Sequence, residues 1–537
     1  MKKRIISLAL VFVMLCGILA GCGTKTGGSS AGNKLTVGIN QNANVENFDN
    51  NAFTKYLEET VGVDLEFVYF SSSESEAIQQ LALTVSANKE LPDVILGFHK
   101  MSQYVVNQYG EDGYFIDLTD LIDKYGKNYK AALEKSSKED REYLEKKAVN
   151  TNTNEIYAMP IALCPAIDDM PNLMYINQDW LDKLGLKAPT NIDELYNVLK
   201  AFKTQDPNGN GKADEIPMVG GCIGHGNDII AYMLNAFVYF SDNNNFNVTD
   251  GKVWDPIVTD EFRQGLIYVN KLVKEGLVSD LSFTLAASSE FKNLNSPIDG
   301  VEKVGIFCGY PDSYMNVESD SASSYVALGG LADATGKGGY TVVNPSPVYW
   351  SNYITKDCEN PELAMKLIDA LYADESIMRA RHGEKDVDWT YGEGTSAYGT
   401  KAYVNIVNGD AFFKGNATWC KNPAGIMSHE NYIAVEVEGE GTRAEFSRMQ
   451  KESWDIMSNA KQPEELATRL LYTQEEYEIR EEFNATVSEY YRDQINLFAS
   501  GELDPNDDAT WNEYKAQLYK IGRDKLMKVV QDAYDRK

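Results

Sequence analysis

Short apolar runs recur near the start of the chain: KLTVGIN (34–40), VDLEFVYF (63–70) and LPDVILGF (91–98), each β-branched or aromatic and bounded by polar or turn-forming residues. That pattern predicts strands. Between the second and third lies SEAIQQLALTVSANKE, whose apolar positions recur at helical spacing, so the region reads as β-α-β units in a mainly parallel sheet. From about residue 171 the pattern changes, and a strand-like LMYIN leads into helices. Asn191 is placed to cap one of them with Glu194 three positions on, after which Leu195, Val198, Leu199 and Phe202 fall on one face. A second α/β signal follows at KVGIFCGY (303–310) and YVALGGL (325–331). Asn360 and Pro361 read as N-cap and first residue of a further helix. The last hundred or so residues are amphipathic helix rich in Glu and Tyr, interrupted near GELDPNDD, and no internal repeat occurs.

One apolar run is of a different kind. MKKRIISLALVFVMLCGILAGC (1–22) has Lys2, Lys3 and Arg4 ahead of an apolar stretch, the layout of a secretory signal too short for a comfortable membrane span. It closes on Leu19-Ala20-Gly21-Cys22, which resembles the lipobox of bacterial lipoproteins, so residues 1–21 are expected to be removed and Cys22 to carry a diacylglycerol. The alternative is an ordinary signal with a chance cysteine. GTKTGGSSAGN (23–33) can bury no core and reads with Cys22 as a lipidated flexible tether, residues 22–33. The expected location is the outer face of the cell membrane, anchored through lipid and not spanning it. By resemblance to lipoprotein sorting signals, Gly23 rather than Asp after Cys22 does not favour inner-membrane retention in a two-membrane cell, and a Gram-positive host is expected.

Composition narrows the partners. The formal net charge is −30, and loss of the three signal-segment cations takes it to −33, so nucleic acid and anionic lipid headgroups are poor partners. Hydrophobic residues make up 43% of a 537-residue chain, enough for two or more cores. Beyond Cys16 and Cys22, Cys164, Cys222, Cys308, Cys358 and Cys420 are widely spaced with no CxxC, which is not a disulfide framework.

DPNGNGKADEIP (206–217) carries candidate metal chemistry. Calcium takes hard oxygens from a tightly turned loop, in an EF-hand from positions 1, 3, 5, 7 (a backbone carbonyl), 9 and 12 with Gly at 6. Here those positions are Asp206, Asn208, Asn210, the Lys212 carbonyl and Asp214, with Gly211 at the turn and Pro217 where the last acid belongs. Glu215 is placed to close the shell early. An EF-hand sensor switches by moving the helix that carries its final Glu, so a loop without that lever reads as a static structural clamp. A plain Asn/Gly turn is the alternative.

The run WLDKLGLKAPTNIDELYNVLKAFKTQDPNGNGKADEIPM (180–218) resembles the central signature of the extracellular solute-binding lipoproteins of ABC importers, more narrowly the long-chain group of LplA-like and alginate-oligosaccharide-binding proteins. The tail FASGELDPNDDATWNEYKAQLYKIGRDKLMKVVQDAYDR (498–536) resembles that group's helical ending, and ENPELAMKLIDALYADE (359–375) a helix after its second hinge crossing. The resemblance implies a two-lobed α/β, periplasmic-binding-protein-like fold of type II with hinge crossings and a helical C-terminal region. It implies one lobe over 34–170 plus about 335–400 and the other over 171–334 plus about 401–537. It also implies a calcium site at Asp206, Asn208, Asn210, Lys212, Asp214 and Glu215 lying away from the solute, a carbohydrate ligand, a permease partner and a monomer.

Sugar recognition suits aromatic faces and nearby polar groups at a lobe interface. Tyr310 after a predicted strand, Trp350 near a crossing, and Trp389 and Trp419 in glycine-bearing loops are the candidates, with Asn40 and Gln41 as hydroxyl partners. Catalytic motifs are scarce: His99, His225, His382 and His429 form no HExxH, no GxxxxGK[ST] occurs, and a GxSxG match at Gly28–Gly32 lies in the tether. The expected function is oligosaccharide capture for an ABC transporter, not catalysis. A calcium-containing glycoside hydrolase, whose two carboxylates leave no short signature, and a peptide or other solute binder are the alternatives.

Overall fold

Nine of the thirteen described strands build two sheets. They are β1 Lys34–Asn40, β2 Asp64–Phe70, β3 Val94–Leu96, β4 Met159–Ala162, β5 Met174–Asn177, β6 Ile216–Val219, β7 Asn247–Thr249, β8 Lys252–Trp254, β9 Val304–Cys308, β10 Tyr325–Leu328, β11 Val348–Ile354, β12 Trp389–Tyr391 and β13 Val404–Ile406. The computed structural model describes residues 33–162, 173–223, 227–242, 246–297, 300–317, 319–342, 348–396, 400–408, 416–419, 425–426 and 442–537. The signal segment, Cys22, the tether up to residue 32, Cys164 and Cys420 lie outside them. Among the described residues no helix is long and apolar enough to cross a membrane, and Cys308 and Cys358 are free thiols.

The first sheet runs β2-β1-β3-β11-β4 and the second β10-β5-β9-β6, with β7–β8 and β12–β13 as separate hairpins. β1 pairs parallel with β3, and β6 with β9. The opening region is mainly parallel as expected, and each sheet carries one reversed strand: β11 runs antiparallel to β3 and β4, and β5 antiparallel to β9 and β10. The reason is topological. β5 and β11 are the strands on which the chain arrives from the other sheet, and a chain that leaves at the C-terminal edge of one sheet enters the next at the same kind of edge, running back along it.

Both faces of the first sheet's inner strands are covered, which is why β3 and β11 read as near-continuous apolar runs, while the edge strand β2 alternates, with Asp64, Glu66, Val68 and Tyr69 exposed. Val37, Ile39, Val94 and Leu96 share a core with Leu363, Leu367 and Trp419, and Ile95 and Tyr353 share another with Leu81, Phe98 and Trp350. On the second sheet Ile176, Met218 and Ile306 pack with Leu195, Leu199 and Phe202 and with C-terminal residues Ile495, Phe498 and Leu526. The helix Ile192–Thr204 begins at Asn191, whose side chain accepts from Asp193 and Glu194 N–H. The reciprocal bond shifts by one: Glu194 accepts from Thr190 N (2.8 Å). Asn360 accepts from Leu363 N, with Pro361 in the first turn.

The chain changes sheet three times among these elements. It leaves the first after β4, returns at β11, and leaves again after Ile426, which bridges Ala162. The helix Thr442–Ser458 then lies on the second sheet's core through Met449, and the long helix Gln474–Ser500 packs there through Val487, Tyr491 and Ile495.

Candidate functional site

In the loop 206–215 the backbone is left-handed at Asp206 (φ 47°), Gly209 (73°) and Gly211 (75°), a turn only glycine and short polar residues accept at low cost. Asp206 Oδ1 takes the Asn210 N–H (3.1 Å) and its Oδ2 that of Gly211 (3.0 Å), while Asn208 Oδ1 also accepts from Asn210 N (3.0 Å). Asn210 Nδ2 donates to Asp214 Oδ1 (2.9 Å) and Lys303 Nζ stands 2.9 Å from Asp214 Oδ2. These two bonds hold the Asp214 carboxyl down at about 2. Glu215 is opposite in direction: burial raises it, with the charges of Asp206 and Asp214 adding, and its buried Oε1 has no hydrogen-bond partner. All the side-chain donors are hard oxygens, with a carbonyl at Lys212, which fits calcium and not a soft metal. Among the described residues no three Asp, Glu, His or Cys side chains stand gathered as a metal cluster; the loop relies on amide and backbone oxygens as well as acids.

The parallel strands of the first sheet finish at one edge. Gln41 N donates to Phe70 O (3.0 Å) and Asn40 Nδ2 to Ser71 O (2.9 Å), tying the end of β1 to that of β2. Asn40 is 8% exposed and its Oδ1 has no partner; Trp350, 4% exposed, has none for its indole N–H. His99, just beyond β3, leaves Nε2 unpartnered and stacks on Tyr349 at 5.4 Å between ring centres. Burial pushes His99 down to about 4, so the ring is neutral at pH 7. Asn40 shares its face with Gly38, where an added Cβ would meet Phe70 and Ile95, the face on which Trp350 packs. A buried polar atom without a partner costs about 1–3 kcal/mol, and three such atoms, on Asn40, His99 and Trp350, lie enclosed at this sheet edge.

The second sheet's edge is formed by the ends of β6 and β9. Past β6 the chain turns at Gly220, where a Cβ would lie 2.3 Å from Ile229 Cγ2, and Ile223 N donates to Asn496 Oδ1 (3.0 Å) on the long helix. Beside this contact is a cavity of about 480 Å³ lined by Ile223, Asn484, Ala485, Ser488, Glu489, Arg492, Asp493 and Asn496. Arg492 grips Asp242 through Nε (2.9 Å) and Nη2 (2.7 Å), and Tyr491 OH donates to the same carboxylate (2.8 Å). The sequence reading missed this stripe, because polar residues at helical spacing opposite an apolar face look the same whether they meet bulk water or a cavity.

Of the sequence candidates, Asn40, Gln41 and Trp350 come together at the first edge. Tyr310 follows β9 at the second, its hydroxyl accepting from Gln450 Nε2 (2.9 Å) and its ring edge-on to Phe446 at 5.8 Å. Trp389 and Trp419 need correction as stacking surfaces. Both are wholly enclosed; Trp389 donates to Gly383 O (3.0 Å) and Trp419 to Thr54 Oγ1 (2.8 Å). Trp389 opens strand β12, and Trp419 packs in the first sheet's core with Phe53 and Phe67.

Asp228, beside the Gly220–Gly221 turn, makes a pH prediction. Burial pushes its carboxyl up to about 8, against the pull of Ala231 and Ile230 N–H, whereas an unfolded Asp titrates near about 4. Between those values the folded protein holds a proton the unfolded chain has released, so this group's contribution falls as pH rises from about 4 to about 8. Asp228→Asn keeps an acceptor and has no proton to lose. A plot of midpoint against pH is expected to decline less steeply for it than for the parent over that window; equal slopes would contradict the assignment.

A family model described as bacterial extracellular solute-binding protein matches residues 42–378. Over 98% of this chain and 97% of its own length, the fructooligosaccharide ABC transporter substrate-binding protein FusA of Streptococcus pneumoniae serotype 4 is 26% identical. Lipoprotein LipO of Bacillus subtilis is 29% identical over 52% of this chain and 51% of its own. Among solved structures, the S. pneumoniae FusA EF-hand mutant in complex with fructo-nystose superposes with a TM-score of 0.74 at 23% identity, covering 94% of this chain and 99% of that one. The alginate-binding protein AlgQ2 without calcium ion gives 0.66 at 21%, covering 94% and 98%. The fold is that of the two-lobed solute-binding proteins.

Proposed function

The chain belongs to the bacterial extracellular solute-binding protein family, and from that premise we propose that it captures an oligosaccharide outside the cytoplasm and delivers it to the permease of an ABC transporter. The observation that carries this reading is the set of unpartnered neutral hydrogen-bonding atoms on Asn40, His99 and Trp350 at the first sheet's edge. Hydroxyl groups are what such atoms accept and donate to, and the aromatic rings beside them suit the C–H faces of a sugar. The name of FusA supports the solute class.

In this reading the first lobe carries β1–β4, β11 and the segment through Ile426, because Trp419 and Ile426 pack in its core. This extends that lobe past the boundary near residue 400 that the resemblance implied. The second carries β5–β10 and the C-terminal helices. The open lobes admit solute, contacts made to both lobes favour the closed form, and the permease recognises that form. Cys22 anchors the chain through lipid, an assignment supported by the lipoprotein relative.

Asp206, Asn208, Asn210, Asp214 and Glu215, with the Lys212 carbonyl, would hold a calcium ion. Bound there, calcium supplies a rigid cross-link of oxygen ligands and no chemistry on the solute. The EF-hand named for the FusA structure supports this.

Thermal unfolding of the full chain tests the reading, with and without calcium, against oligosaccharides, peptides and amino acids. Calcium at about 100 times its dissociation constant adds roughly 2.7 kcal/mol, so chelation is expected to lower the midpoint by a few degrees and Asp206→Ala to abolish that difference. One oligosaccharide class should raise the midpoint and be recovered uncleaved. Cleaved sugar would favour a hydrolase, and a shift with peptides alone a peptide carrier.

A further inference from the structure

We infer that the solute is a neutral oligosaccharide and that the site rejects saccharides bearing carboxylates; this deepens the proposed function and rests on it. Recognition of a uronate needs a guanidinium or ammonium free to form charge-assisted bonds, most effectively a two-pronged arginine fork. Among the described residues lining the 480 Å³ cavity, Arg492 is the one cation. Its fork is already closed on Asp242, with Nε at 2.9 Å and Nη2 at 2.7 Å on the two carboxylate oxygens. Glu489 and Asp493, both exposed, line the same cavity and repel an incoming carboxylate. The remaining polar lining, Asn484, Ser488 and Asn496, offers amide and hydroxyl groups that match sugar hydroxyls.

The first sheet's edge has the same character. Asn40 and Trp350 are uncharged, and burial keeps His99 neutral. The cation nearest in sequence, Lys100, sits beside Glu74, which takes the Lys100 N–H and feels its charge. Around both edges the chain as a whole carries a net charge of −30, a field that depletes anionic solutes near the surface.

The test is calorimetric titration of the calcium-loaded full chain with two probe sets of matched length. One holds neutral gluco-, fructo- and xylo-oligosaccharides; the other holds oligogalacturonates and alginate-derived oligouronates. The neutral set is expected to contain a binder at least roughly tenfold tighter than any uronate, with the gap narrowing as salt screens the carboxylates. The double substitution Glu489→Gln/Asp493→Asn, at exposed positions, should narrow the gap by about fivefold at low salt. A uronate that binds as tightly as the best neutral sugar overturns the inference while leaving oligosaccharide capture standing. An unchanged gap in the double variant overturns the role given to the two carboxylates. Failure of both sets, with uptake of a peptide, overturns the inference together with the reading beneath it.

Discussion

Arg523→Met is expected to destabilise the protein by about 3–5 kcal/mol, the cost of breaking a buried ion pair from one side. Arg523 opens the helix Arg523–Tyr534, and its Nε and Nη2 reach the two oxygens of Asp255 at 2.9 and 2.7 Å. The side chains are 1% and 2% exposed, and the guanidinium lies 3.8 Å above the Phe246 ring. The pair pins the last helix to the segment before the turn Pro256–Val258, whose Ile257 N–H also donates to Asp255. Removing the cation strands a carboxylate among apolar groups, while replacing both partners with apolar residues of similar volume removes the stranded charge. Urea unfolding should therefore show Asp255→Leu recovering much of the loss when added to Arg523→Met. A single variant within about 1 kcal/mol of the parent would contradict the account.

Trp419→Ala is expected to cost a comparable amount, about 3–5 kcal/mol. Its ring packs among Phe53, Phe67 and Phe48 at 5.1, 5.7 and 6.1 Å between centres, and its N–H is spent on Thr54. Thr54 belongs to the helix Ala52–Val61, so the indole fastens a late segment of the chain to an early one. The discriminating readout is the pairing of two measurements. The unfolding midpoint should fall steeply while the folded fraction keeps its solute affinity within about twofold, because a core ring fixes the lobe and touches no sugar. A large loss of affinity with little loss of stability would return Trp419 to the binding surface.

Local signals were readable where the chain's own chemistry sets the outcome. The apolar runs at 34–40 and 303–310 contain β1 and β9, the Asn191 and Asn360 caps sit where their side chains reach the first turn, and the loop 206–215 is wound by its own Asx and glycine residues. Strand direction was not readable at β5 and β11, because it depends on which sheet the chain has just left. The fate of each tryptophan was also hidden. Trp350 and Trp419 share residue type and high burial, and differ in whether a partner for the indole N–H happens to lie within reach. The cavity stripe on the helix Gln474–Ser500 depends on a contact some 270 residues away in sequence, Ile223 with Asn496, which no local pattern encodes.

The central claim is that one solute is held by both sheet edges and returned intact. It is tested most directly by titrating a neutral oligosaccharide into the full chain, into Asn40→Ala and into Asn496→Ala, and weighing the recovered sugar. Saturable uptake of one molecule per chain, a loss of roughly tenfold in affinity in each variant and sugar of unchanged mass are the predicted results. Uptake unaffected by either substitution, or sugar recovered in pieces, would contradict it.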